Sequence, residues 1–162
     1  MTSEGVVAFG LWHRVDRAMV AVLLIVHAGL LLWAAAGFVE LLASQVPWPR
    51  LSHPLFPPAI LVLHWTAIAA GATTFLAGYV SRWRKLPEGM VIAYGFMAAV
   101  CALETFTVLD HDGRFAEMAL EYATYGAILV YLFRSPAIRQ RIGTRGSTAA
   151  IAGDPSSRSL HR

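Results

Sequence analysis

Four long runs of apolar residues dominate the chain, at residues 18–42, 58–80, 90–109 and 115–133. Each run is close to the ~20 residues that an α-helix needs to cross the ~30 Å hydrocarbon core of a bilayer. The apolar positions are continuous rather than alternating, which favours helices over the strands of a closed barrel. Short connections make consecutive helices antiparallel neighbours. The pattern predicts an all-α, polytopic membrane protein, with an up-down four-helix transmembrane bundle over residues 1–135.

Composition agrees with the pattern and separates the C-terminal segment from the bundle. Hydrophobic residues make up 57% of the 162 residues and charged residues only 14%, whereas a soluble domain carries about a quarter charged residues. Residues 136–162 are instead rich in Arg, Ser, Gly and Ala. We therefore expect a basic, disordered cytoplasmic tail after the fourth span.

The basic residues predict the orientation of the bundle. They cluster before the first span, between the second and third spans, and after the fourth span, whereas the other two connections are poor in Lys and Arg. Cytoplasmic loops of membrane proteins carry the excess of these residues. This predicts a protein of the cell (inner) membrane with both termini in the cytoplasm and with His53 and His111 outside. The clusters are short, so the sequence gives no indication of a nucleic-acid surface.

The His and Glu residues within the predicted spans are His27, Glu40, His64, Glu104 and Glu121, with Glu117 near the outer boundary of the fourth span. Such residues are costly in hydrocarbon, and they commonly mark functional sites. All except His27 fall in the outer halves of their spans. Together with His111 of the outer loop, Glu104 and Glu121 are predicted to form a quinone or proton site, because histidine and glutamate accept the protons of a quinol.

Two histidines also suggest a haem site. His27 and His64 are the only histidines inside the spans, they lie on adjacent helices, and low-spin haem b is commonly held between two such imidazoles. His64, Gly71 and Gly78 share one helical stripe, which leaves a flat strip suited to a macrocycle or to a close helix neighbour. Against the pair, the two histidines differ in predicted depth by roughly 8 Å at 1.5 Å rise per residue. Met97 is the next candidate for an axial ligand.

Two segments resemble the b-type cytochrome subunits of formate dehydrogenases and hydrogenases. The segment LWHRVDRAMVAVLLIVHAGLLLWAAAG is similar to the first helix of that family, in which an Arg- and His-bearing boundary leads into an apolar helix. The segment LHWTAIAAGATTFLAGYVSRWR is similar to a second helix with His, then Gly, then a basic end. The resemblance implies a quinone-linked electron-transfer subunit with haem b and with membrane or peripheral redox subunits as partners. The haem-ligating histidines of the family's later helices have no counterpart in the third and fourth spans.

Two further interpretations remain open. The chain is alternatively an accessory or structural membrane subunit without a cofactor, whose small-residue stripes pack against larger partners. A third interpretation is a metal- or proton-handling protein that uses the outer histidines and glutamates, since imidazole and carboxylate ligands suit copper, zinc and iron. The sequence has no phosphate-binding loop, nucleophile motif or zincin motif, so no catalytic residue is predicted. A subunit of a membrane oxidoreductase is favoured over a free-standing enzyme.

Overall fold

The computed structural model describes residues 3–43, 45–52 and 56–143. Over these residues the prediction of an all-α chain is confirmed, because every regular element is a helix. The helices are α1 (Ser3–Leu42), α2 (Pro58–Val80), α3 (Leu86–Thr107), α4 (Arg114–Arg134) and α5 (Pro136–Gly143). His53 and residues 144–162 of the predicted tail lie outside the described residues.

Three of these helices have the length and the apolar composition to cross a membrane. They are α2, α3 and the Arg14–Leu42 part of α1. The fourth predicted span corresponds to α4, which carries charged residues along its 21 residues and is not among the three. The coarse prediction of a helical membrane protein is thus supported, whereas a fourth span is a separate proposal.

Consecutive helices pack antiparallel to one another. Each contact pairs an earlier position on one helix with a later position on the next, and the sums of the two residue numbers stay nearly constant. The contacts are Gly37 with Trp65 and His27 with Phe75 between α1 and α2, Gly71 with Met97 and His64 with Glu104 between α2 and α3, and Tyr94 with Tyr125 between α3 and α4. This register brings residues 30–40, 61–68, 97–104 and 117–125 to the same half of the structure.

The two ends of the helix assembly differ in charge. We name the end formed by residues 45–52, 56–57 and 108–113 the distal end. The opposite end, with residues 81–85 and 135–143, is the basic end. At the basic end, α2 closes with Arg82 in the left-handed region (φ 55°). The Trp83 N–H donates to Gly78 O and the Arg82 N–H to Tyr79 O, a Schellman motif in which arginine takes the usual place of glycine.

Helix boundaries depart from the prediction at the start of α1, at both ends of α3, which begins at Leu86 instead of residue 90, and after α4. α1 begins at Ser3 instead of residue 18, so its 40 residues extend about 60 Å at 1.5 Å rise per residue. α3 ends at Thr107, because Glu104 O accepts from both Val108 and Leu109. Residues 136–143, predicted as part of the tail, form α5, which packs on α1. The Arg141 guanidinium lies 4.3 Å from the centre of the Tyr79 ring and holds α5 against α2.

Close packing of α1 on α2 depends on Gly37, which was not predicted to be a packing residue. Trp65 is only 1% exposed, and its indole lies directly against Gly37. A Cβ atom at this position would lie 2.2 Å from Trp65 Cε2. The indole is rigid and buried, so it has no room to move away.

Replacing Gly37 with alanine is therefore expected to destabilise the protein by about 1–3 kcal/mol, the usual cost of overpacking. Thermal unfolding in detergent micelles measures the effect. Gly29→Ala is the matched control on the same helix, because no atom lies within 4 Å of a Cβ atom placed there. Equal melting temperatures for the two variants would show that α1 and α2 do not approach closely at Gly37.

Candidate functional site

A cavity of about 270 Å³ lies between the helices, in the half of the structure next to the distal end. All four long helices contribute to its walls. Most of the lining is apolar or aromatic, and its polar groups are carried by α2, α3 and α4. The lining residues are Leu30, Trp33, His64, Ala67, Ile68, Met97, Val100, Cys101, Glu104, Glu121 and Tyr125. We call this cavity the inter-helix pocket.

The first polar group of the inter-helix pocket is a hydrogen-bonded histidine–glutamate pair between α2 and α3. His64 Nδ1 lies 2.8 Å from Glu104 Oε1, and the two side chains are 27% and 10% exposed. A carboxylate only accepts, so Nδ1 carries a proton and donates it to Glu104. In the neutral ring this leaves the lone pair on Nε2, and the carboxylate holds the ring in place. His64 is therefore arranged to accept a proton from a ligand in the pocket.

The second polar group belongs to α4. The Tyr125 hydroxyl donates a hydrogen bond to Glu121 Oε1, one helical turn away. The Cys101 thiol of α3 lies beside Glu121. The Tyr125 ring also stacks on Tyr94, with ring centroids 4.7 Å apart. Two acidic groups, each with a hydrogen-bonded partner, thus face one pocket from different helices.

His27 belongs to a separate cluster at mid-helix. It is 1% exposed. Its Nδ1 lies 2.7 Å from Leu23 O and its Nε2 lies 2.9 Å from the Tyr94 hydroxyl. A carbonyl oxygen only accepts, so Nδ1 carries the proton, and Nε2 of the neutral ring accepts from Tyr94. The ring stacks on Phe75 at 4.1 Å. His27 therefore connects α1 to both α2 and α3.

The residues present do not fit a haem between His27 and His64. Both ring nitrogens of His27 are engaged, and Phe75 covers a face of its ring. The glycine strip is also filled, because a Cβ atom at Gly71 would meet Met97 Sδ at 2.6 Å and one at Gly78 would meet Leu86 Cδ1 at 2.7 Å. The strip accommodates α3 rather than a macrocycle, and Met97 serves as a packing residue there.

His111 does not reach the inter-helix pocket. It lies at the distal end, where Nε2 is 3.5 Å from Glu117 Oε2 and both side chains are largely exposed. Within the part of the chain that the structure describes, no group of three or more His, Cys, Asp or Glu side chains is arranged to hold a metal ion. Of the predicted quinone or proton residues, the structure brings Glu104 and Glu121 together with His64, and it separates His111 from them.

Sequence reasoning overlooked Tyr94 and did not place Cys101 in the site. A tyrosine carries no charge at neutral pH, so Tyr94 was not among the candidate site residues, which were chosen as histidines and glutamates within apolar runs. The signal was present in the spacing, because Tyr94, Met97, Cys101 and Glu104 recur every three or four residues and therefore share a helix face. That face is the one that α3 turns towards the other helices.

No protein-family model matches this chain, and neither a curated protein nor a solved structure matches it. The inter-helix pocket and its polar groups therefore provide the basis for a functional proposal.

Proposed function

We propose that this protein is a quinol-binding membrane subunit of an electron-transfer complex. The observation that carries the proposal is the inter-helix pocket, in which two acid-containing polar pairs lie within an apolar and aromatic wall. Its volume of about 270 Å³ lies just below the ~300–1,000 Å³ range for small-ligand sites. That size suits a quinol head group, whose apolar tail extends into lipid.

The chemistry of a quinol matches the two polar pairs. Oxidation of a quinol to a quinone releases two protons and two electrons. One hydroxyl donates to Nε2 of His64, whose Nδ1–H is held by Glu104. The other hydroxyl lies towards Glu121 and Tyr125, and its proton passes to the Glu121 carboxylate, which also accepts the Tyr125 hydrogen bond. The electrons pass to a one-electron acceptor, a haem or an iron–sulfur cluster, of a partner subunit.

The proposal includes the orientation of the protein in the membrane. α4 forms the fourth span, the distal end faces the outside, and both termini face the cytoplasm, in the cell (inner) membrane. Lys and Arg residues at the basic end support this orientation. Within residues 14–43 and 56–143, α1 packs extensively on α2, and its hydrogen bonds with α4 run from Tyr131 to Asp16 at the basic end. A quinol enters from the lipid between α1 and α4, in the half of the structure next to the distal end.

Binding of a short-chain benzoquinol to the protein in lipid nanodiscs tests the proposal. Tryptophan fluorescence reports binding, since Trp33 lines the pocket. Glu104→Gln is expected to weaken binding by about tenfold or more, because hydrogen bonds that involve a charged group contribute about 1.5–3 kcal/mol. Glu117→Gln is the matched control, as Glu117 is an exposed carboxylate at the distal end.

Two results would contradict the proposal. One is that the wild-type protein binds no benzoquinol, and the other is that Glu104→Gln and Glu117→Gln bind it equally well. Either result would favour the accessory-subunit interpretation, in which the His64–Glu104 pair only holds α2 to α3.

A further inference from the structure

Two more cavities lie between the inter-helix pocket and the distal end. The next one has a volume of about 190 Å³ and shares Trp33 and His64 with the inter-helix pocket. The last one has a volume of about 530 Å³ and shares Ser52, Phe56 and Leu61 with the middle cavity. We call them the middle cavity and the loop cavity. The exposed residues Gln45 and Arg50 line the loop cavity, so the series reaches the surface.

In the loop cavity, one oxygen of the Glu40 carboxylate accepts hydrogen bonds and the other has no hydrogen-bond partner within the described residues. Glu40 Oε2 accepts from Leu51 N at 3.0 Å and from Ser52 N and Ser52 Oγ at 3.1 Å. Glu40 Oε1 is buried and has no hydrogen-bond partner within the described residues. Buried polar atoms are nearly always satisfied by protein or by ordered water. An oxygen of this kind in a polar cavity is a site for water or for a proton.

We propose that the three cavities form a proton path from the inter-helix pocket to the distal surface, with His64 at its inner end and Glu40 as its outer proton acceptor. This inference rests on the proposed function, since quinol oxidation is what supplies protons to His64. The proton taken up at His64 Nε2 leaves through water in the middle cavity, binds Glu40 Oε1 and is then released to bulk water. No electron moves along this path.

The groups that face Glu40 are consistent with this role. Among the described residues that line the loop cavity, Arg50 is the charged one beside Glu40, and it lies on the connection between α1 and α2. α2 contributes Leu61, which does not titrate. The Ser52 hydrogen bonds fix the carboxylate at the boundary between the loop cavity and the middle cavity.

Stopped-flow fluorescence after a drop in pH tests the path with protons alone. The His64 ring contacts Trp65 edge-on, with ring centroids 4.7 Å apart. A protonated imidazole quenches indole fluorescence, so protonation of His64 lowers the signal, and His64→Gln identifies the part of the signal that belongs to it. The experiment uses the full chain in nanodiscs and needs no quinol.

Glu40→Gln is expected to slow the His64 signal by at least about tenfold, because a positioned proton-transfer group contributes about 10²–10⁴-fold to such rates. The pH midpoint of the signal stays the same, since a path changes the rate and not the equilibrium. A merely structural role for Glu40 would instead move the midpoint. Ser52→Leu, which fills the middle cavity, is expected to slow the signal in the same way, and Glu117→Gln is expected to leave it unchanged.

Equal rates in wild-type protein, Glu40→Gln and Ser52→Leu would overturn the path. If Glu40→Gln does not assemble, the rate of Ser52→Leu decides by itself. The two proposals fail separately in these experiments. If the protein binds no benzoquinol but Glu40→Gln and Ser52→Leu slow the His64 signal, the quinol function is wrong and the proton path remains. If the protein binds benzoquinol but the wild-type protein and both variants have equal rates, the quinol function remains and the proton path is wrong.

Discussion

Replacement of Asp16 by alanine is expected to lower the free energy of unfolding by about 2–4 kcal/mol, because hydrogen bonds to a charged group contribute about 1.5–3 kcal/mol and do not add fully. Asp16 Oδ1 accepts from the Tyr131 and Ser135 hydroxyls, each at 2.7 Å, and Oδ2 accepts from Ala137 N at 2.7 Å. This carboxylate thus holds α1, α4 and α5 together at the basic end. Thermal unfolding in detergent micelles measures the loss.

A matched variant separates this effect from a general loss of charge. Asp110→Ala also removes a carboxylate, but the Asp110 side chain is 98% exposed and contacts Arg114 on the surface. Surface ion pairs contribute little, so the melting temperature is expected to stay at the wild-type value. Asp16→Ala should also expose the junction between α4 and α5 to added protease. A wild-type melting temperature and digestion pattern for Asp16→Ala would contradict the assignment.

The role of Asp16 could not be read from the sequence. Tyr131 lies 115 residues away along the chain, and no pattern of spacing connects the two. An aspartate near Arg14 and Arg17 at the start of an apolar run is ordinary at a membrane boundary. Ser135 and Pro136 likewise have the composition of a loop, and α5 is short enough to give no periodic signal.

The helices themselves were predictable for a simple reason. Long apolar runs define helices that cross a bilayer, and α2 begins at Pro58 and ends at Val80 as predicted. The antiparallel register then also follows from the short connections. Because residue numbers in contact between α2 and α3 sum to nearly the same value, the contact of Gly71 with Met97 already implies the contact of His64 with Glu104.

The sequence did not determine the rotation of each helix about its own axis. Sequence alone identified His27, His64, Glu104 and Glu121 as polar groups within apolar runs, but it could not decide which of them face one another. The haem hypothesis paired the two histidines because they lie on adjacent helices. In the structure the two histidines have different partners on α3, since Tyr94 donates a hydrogen bond to His27 and Glu104 accepts one from His64.

His27→Leu is expected to destabilise the protein by about 1–3 kcal/mol, because it leaves the Tyr94 hydroxyl buried without a partner. The phenol is 4% exposed and lies 2.9 Å from His27 Nε2. Tyr94→Phe alone leaves Nε2 of the imidazole unsatisfied in the same way. The double variant removes both polar groups, so its cost should be smaller than the sum of the two single costs.

A double-mutant cycle of unfolding free energies in micelles provides the measurement. Hydrogen bonds between side chains in membrane proteins average about 0.6 kcal/mol and reach about 1.7 kcal/mol. The His27–Tyr94 coupling is expected near the upper value, since both groups are closed off from water and the ring is fixed by Phe75. His27→Gln keeps an acceptor and should retain part of the stability. If the single costs are simply additive in the double variant, the imidazole does not bond to Tyr94, and its nitrogen is free for another ligand. A measured coupling instead explains why a histidine lies in the middle of an apolar helix. The His27–Tyr94 hydrogen bond then holds α1 to α3 at a depth where no water can replace it.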